Sequence, residues 1–177
     1  YKGRRFEKRS LDEIKRDIDS IKAIYNDILA LSWKQGYAGQ VTEQFVESIF
    51  SATSFNECYK SVVVWLYFGG KNVFIQDANS LTMKPGDFIS ALTYLKEAFP
   101  TIERVTSYAR SRTIAKRLSV EDLKAMKEAG LTRLHIGLES GNDFLLTYMN
   151  KGVTKDGHIE SGRKVKKSGI ELSEYIV

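Results

Sequence analysis

The sequence is short of the groups from which most metal and redox sites are built. Its 177 residues include one cysteine, Cys58, and two histidines, His135 and His158. A lone cysteine excludes an internal disulfide. The three residues together exclude any zinc or iron–sulfur site made wholly from the cysteines and histidines of this chain. No apolar run approaches the roughly 18 residues that span a bilayer, and no signal-peptide pattern is present. There is no GxSxG elbow, no Walker loop, and no GxGxxG opening a helix after a strand, so common hydrolase and nucleotide signatures are missing.

A general excess of positive charge is missing too. The 27 Lys and Arg outnumber the 22 Asp and Glu by five, but residues 1–10 (YKGRRFEKRS) alone carry five cations against one anion. The middle of the chain is close to neutral, which argues against a nucleic-acid-binding domain and leaves only a basic arm, Lys2–Arg9, for contact with RNA phosphates. Tyr1 in place of Met, and a last segment (Ser173–Val177) that reads as the inside of a strand, lead to the expectation of a chain cut at both ends, soluble and cytoplasmic. The length suits a single domain with a core of its own.

Apolar periodicity organises what is present. Ser10 and Glu13 have the spacing of a capping box, and Ile14, Ile18, Ile21, Tyr25, Ile28 and Leu31 recur at three and four residues, so a helix of about 20 residues is predicted. Thr42 is suited to cap a short helix carrying Phe45, Ile49 and Phe50. Asn56 is suited to cap another that ends at Gly69-Gly70. Residues 62–68 (VVVWLYF) also fit a buried strand, with helix preferred.

From Lys71 onward the rhythm is regular. Strand-like stretches at 71–80, 104–111, 132–140 and 170–177 alternate with helical stretches near 86–98, 120–129, 142–150 and 155–168. Pro85 stands near the first of these helices, Ser119 and Asp122 at the start of the second, and Gly169 after the last. Alternation at this spacing predicts βαβ units and an α/β fold with a parallel sheet, either doubly wound or part of a TIM-barrel-like (βα) barrel. Both arrangements place chemistry at the C-terminal ends of the strands.

Those ends are polar. They read Gln76-Asp77-Ala78-Asn79-Ser80, Ser107-Tyr108-Ala109-Arg110-Ser111-Arg112, and His135-Ile136-Gly137-Leu138-Glu139-Ser140-Gly141, with Glu171, Ser173 and Glu174 in the last strand. Polar groups inside a covered sheet carry a desolvation cost unless paired, so four such ends suggest one polar pocket. Asp77, Asn79 and Ser80 would also serve as turn and cap residues, and Arg110 and Arg112 as surface ion pairs. His135 is expected to be packed within its strand and His158 to lie on a solvated helix face. Cys58 has no neighbouring histidine and is expected to pack as a small hydrophobe.

The stretches TSYARS (106–111), EDLKAMKEAGLTRLHIGLESGND (121–143), KGVT (151–154) and GRKVKKSGIELSEYIV (162–177) resemble the radical S-adenosylmethionine (SAM) superfamily. The subgroup they most resemble contains methylthiotransferases and oxygen-independent coproporphyrinogen oxidase. The resemblance covers residues 71–177 and the helix at 10–31, and residues 34–70 look like a helical insertion within a single incomplete core domain.

The resemblance implies a partial (βα)6 barrel, truncated here at both ends. It also implies a CxxxCxxC loop holding a [4Fe-4S] cluster and a SAM molecule that the reduced cluster cleaves to a 5′-deoxyadenosyl radical. The basic, aromatic stretch YKGRRFEKRSLDEIKRDI resembles the segment after that loop in the family, so the loop is expected immediately before Tyr1. The chain alone would then hold no cluster and turn nothing over.

In the same terms, Gln76, Asp77, Ala78 and Asn79 occupy the position that binds the SAM amino group, although the family's glycines are absent there. Ser107 and Arg110 stand where polar groups reach the SAM carboxylate. Glu139 and Ser140 match the position that binds the ribose hydroxyls. Two alternatives stay open: a non-radical barrel lyase or hydrolase using Glu139 and Arg110 on an anionic substrate, and an RNA-binding module using the basic arm. An RNA substrate would also be compatible with the radical SAM reading.

Overall fold

The computed structural model describes residues 9–76 and 79–176, so Asp77, Ala78 and most of the basic arm lie outside the described residues. Helix α1 (Leu11–Lys34) opens with the full Ser10/Glu13 capping box. Thr42 caps α2 (Glu43–Ser51) and Asn56 caps α3 (Glu57–Tyr67), each side-chain oxygen accepting from a backbone N–H three residues on. The ambiguous run at 62–68 is therefore helical as far as Tyr67. Phe45, Ile49, Tyr59, Val62 and Val63 close around Ile28 of α1 as a small core of their own.

The βα repeat comes next, in the order β1 (Asn72–Ile75), α4 (Pro85–Ala98), β2 (Arg104–Ala109), α5 (Ser111–Arg117), α6 (Val120–Glu128), β3 (Leu131–Glu139), α7 (Asp143–Tyr148), α8 (Lys155–Ser168) and β4 (Glu171–Ile176). Ser119 and Asp122 form a second capping box, Pro85 takes the first turn of α4, and Gly169 ends α8 at φ 76°. That left-handed conformation has little cost for glycine.

The first strand, expected over 71–80, ends at Ile75, and the largest difference from the sequence expectation follows the second strand. The second strand stops at Ala109 rather than residue 111, and α5 begins almost at once. Seven residues are too few to show a helical period, and SRTIAKR becomes a helix because Ile114 is fully buried in the core. The ε-ammonium of Lys164 on α8 finishes α5 by donating to the carbonyls of Ala115 (2.7 Å) and Leu118 (3.0 Å).

All strand pairs are parallel, and the order across the sheet is β1-β2-β3-β4. Strands laid side by side in chain order never reverse direction of winding, which selects the barrel-type arrangement over a doubly wound sheet. Val105, Ala109, Leu134 and Ile136 pack with Leu92, Ile114, Leu123, Met126 and Val165 of the helices into the main core. Tyr25, Trp65 and Phe99 join the two cores through edge-on ring contacts at 5.4 and 5.7 Å.

The ladder between β2 and β3 breaks at Thr132, where Val105 pairs with Leu131 and Thr106 with Arg133. The Thr132 hydroxyl fills the break, accepting from the Val105 N–H (3.0 Å) and donating to the Val105 carbonyl (2.9 Å). A bulge of this kind shifts which residues of β3 face each side of the sheet. Beyond it Leu134 and Ile136 face the helices, while Arg133, His135 and Gly137 face away.

Candidate functional site

The parallel sheet brings the C-terminal ends of its strands to one edge, and a cluster of polar groups is built there. The chain turns sharply at Glu139, whose φ is 63°. The Ser140 N–H donates to the Leu138 carbonyl at 2.8 Å, closing a three-residue turn centred on Glu139. A carboxylate residue in the left-handed region is an uncommon and costly arrangement, of the kind that clusters at functional sites.

The turn presents the Glu139 carboxylate to Lys151, whose ammonium lies 2.5 Å from Oε1, with both side chains about three-quarters buried. Gly137 makes the room. A Cβ on Gly137 would stand 2.6 Å from Glu139 Oε1 and 3.4 Å from Lys151 Nζ. Gly152 does the same for Arg112, whose Nη1 would meet a Cβ there at 3.0 Å.

The neighbouring strand ends are tied to this corner. Asn79 spans from the end of β1 to α5: its amide donates to Thr113 Oγ1 (2.8 Å), and its carbonyl accepts from the Arg110 N–H (3.1 Å). The Arg110 side chain and Gln76 are exposed at the same edge. Ser140 Oγ accepts from the Asn142 N–H, and Asn142 in turn caps α7. Close to the corner, Ser111 Oγ and His158 Nδ1 form a buried hydrogen bond of 2.7 Å between α5 and α8. His158 Nε2 is also buried and has no hydrogen-bond partner among the described residues. Burial, and after it the nearby Lys151 charge, hold this imidazole below its ordinary value of 6.5.

The residues that the sequence singles out thus divide. Gln76, Arg110, Glu139 and Ser140 each lie at the C-terminal end of a strand, on the same edge of the sheet. Asn79 is there too, but both ends of its amide are engaged within the protein. Ser107 is elsewhere: it is completely buried and lies between Val105 and Ala109, on the side of the sheet that packs against the helices. Asp77 and Ala78 fall outside the described residues. His158, expected on a solvated face, is 4% exposed. Lys151 has no signal in the sequence, because nothing in KGVT shows that the chain returns to Glu139. Among the described residues, no three His, Cys, Asp or Glu side chains are grouped to hold a metal ion. Cys58, expected to pack as a small hydrophobe, is exposed in the first turn of α3.

The chain has the fold of known SAM enzymes. It superposes on the cobalamin-dependent S-adenosylmethionine radical enzyme OxsB with aqua-cobalamin and S-adenosylmethionine bound. The TM-score is 0.51 and the identity 19%, over 78% of this chain and 19% of that one. The same enzyme with aqua-cobalamin alone gives 0.50 and 20%, over 78% and 19%. Methylornithine synthase (PylB) gives 0.45 and 15%, over 86% of this chain and 58% of that one. The chain therefore spans about a fifth of the length of OxsB. No curated protein sequence matches it. No helix among the described residues is long and apolar enough to cross a membrane. The model of the radical SAM superfamily matches residues 57–177, beginning inside the stretch read as an insertion and running through every strand of the sheet. By that match the chain belongs to the radical SAM superfamily.

Proposed function

We propose that the chain is the SAM-holding part of a radical SAM enzyme, with the bound SAM lying across the strand ends at Gln76, Arg110, Glu139 and Ser140. The observation that carries this reading is the Glu139 corner. A carboxylate held at positive φ, fixed by Lys151 and standing over a glycine, is an acceptor placed in advance for a pair of hydroxyl donors such as those of a ribose. Arg110 caps α5 with its backbone only, and its exposed guanidinium, which has no partner among the described residues, suits a carboxylate in two-point fashion. Ser107 takes no part, because its hydroxyl is on the wrong side of the sheet.

The single cysteine of the chain cannot supply three thiolates, so the cluster ligands belong to sequence outside Tyr1–Val177. When bound, the cluster supplies the electron that opens SAM. The residues of this chain hold the nucleoside and the amino-acid end of SAM in place for that event. Calorimetric titration of the reconstituted whole protein with SAM tests the assignment. Binding that weakens by about tenfold or more in Glu139→Ala supports it, and binding unchanged in that variant rejects it.

A further inference from the structure

The face of the sheet opposite the helices carries a second set of groups that the SAM reading does not use. On it Phe74, Tyr108 and His135 touch one another (ring centroids 4.8, 5.5 and 5.9 Å apart), and His135 also meets Tyr175 (5.6 Å). They come from β1, β2, β3 and β4 in turn. Phe74, Tyr108 and Tyr175 are each more than a third exposed, and Tyr175 shares a hydrogen bond with His135 Nδ1. Further down the strands, Arg104 and Arg133 both reach a single carboxylate, that of Glu171, at 3.6 and 3.9 Å. These distances are long for charge-assisted hydrogen bonds. Arg133 Nε is buried and has no partner among the described residues. Burial, followed by the charge of Arg133, keeps His135 below 6.5, so the imidazole adds no charge at neutral pH. Among the described residues, two guanidinium groups therefore face one carboxylate, which leaves one positive charge over beside this shelf of rings.

We propose that this face binds the substrate, and that the substrate is a planar ring carrying an anionic group. The ring would lie against Phe74, Tyr108 and Tyr175, and the anion would reach down to Arg133 and Arg104. The two-residue step from His135 to Arg133 is about 7 Å along the strand, close to the length of a benzene ring with a carboxylate attached. Rings supply offset and edge-on contacts, and a partly desolvated arginine pair supplies the charge. The inference rests on the SAM assignment in one respect: a ligand on this shelf lies directly below the strand ends that would hold SAM.

Titration of the chain with benzoate, acetate and benzamide tests the proposal, with circular dichroism confirming that each variant is folded. Benzoate is expected to bind at least about tenfold more tightly than acetate, which lacks the ring, and than benzamide, which lacks the charge. Arg133→Gln is expected to weaken benzoate by about tenfold. Glu171→Gln, which removes the competing carboxylate, is expected to tighten it several-fold. Benzoate no tighter than acetate, or unchanged by Arg133→Gln, or weakened by Glu171→Gln, overturns the proposal and leaves the arginine–glutamate group as internal packing. SAM titration of the reconstituted whole protein carrying the same substitutions keeps the two readings apart. Failure of benzoate with SAM binding intact rejects only the shelf. Failure of SAM with the benzoate pattern intact rejects only the strand-end assignment.

Discussion

His158 Nδ1 lies 2.7 Å from Ser111 Oγ in a buried contact that joins the first turn of α8 to the first residue of α5. The charges of Lys151 and Glu139 both act on this imidazole, so the bond ties the surroundings of the corner to two helices at once. Replacing Ser111 by Ala strips His158 of a partner and leaves a second ring nitrogen unsatisfied. A loss of roughly 1–3 kcal/mol is expected for such a group. Chemical denaturation of Ser111→Ala checks it, and a change within a few tenths of a kcal/mol would show the bond to be dispensable.

The two histidines also set a pH dependence. Burial first and a nearby cation second hold both His158 and His135 below 6.5 in the folded chain. The unfolded chain therefore takes up protons at a pH where the folded chain does not. Stability from this source is complete above about pH 6.5 and falls as the pH drops below it. Asp122, held below 3.8 by its hydrogen bonds with Ser119, adds a later loss as the pH falls through the carboxylate range. Thermal unfolding monitored from about pH 8 to pH 5 should show the midpoint decline below about 6.5, with a shallower decline in His158→Asn.

Thr132 repairs the bulge between β2 and β3 with one hydroxyl serving both the N–H and the carbonyl of Val105. Thr132→Val keeps the shape and removes both bonds. The expected cost is about 1–3 kcal/mol in urea denaturation, because the Val105 groups are then left without partners in the core. Thr132→Ser should retain most of the stability.

Gly137→Ala places a methyl group 2.6 Å from the Glu139 carboxylate oxygen. The displaced atom is the end of a side chain, so the fold should tolerate the change with a loss of at most about 1 kcal/mol. The carboxylate, however, must leave Lys151. SAM affinity of the reconstituted whole protein is expected to fall by about tenfold, and Lys151→Ala should act in the same direction. Equal affinity in wild type and Gly137→Ala would disconnect the corner from the ligand.

Much of this structure is legible in the sequence where a local rule operates. Ser10, Thr42, Asn56 and Ser119 are caps whose hydrogen bonds need only three residues of chain, and each begins a helix where expected. Glu139 and Arg110 are legible because strand ends emerge from the βα rhythm. The features that escape depend on contacts between distant parts of the chain. The inward or outward sense of TSYARS turns on a period of two, and with Thr106, Ser107 and Tyr108 all polar, Val105 and Ala109 alone mark the core face. Ser107 is misread for that reason. Lys151 reaches Glu139 across 12 residues, and His158 is buried by α5, a helix too short to leave a pattern.

Glu139, as the residue that holds SAM for cleavage, is the centre of the proposed function. The direct measurement is 5′-deoxyadenosine released by the whole protein after anaerobic reconstitution with iron and sulfide and reduction in the presence of SAM. The wild-type protein is expected to release it, and Glu139→Ala, at equal cluster content, to release at least about tenfold less. A wild-type protein that holds the cluster and releases none, or a Glu139→Ala protein that matches it, would contradict that role.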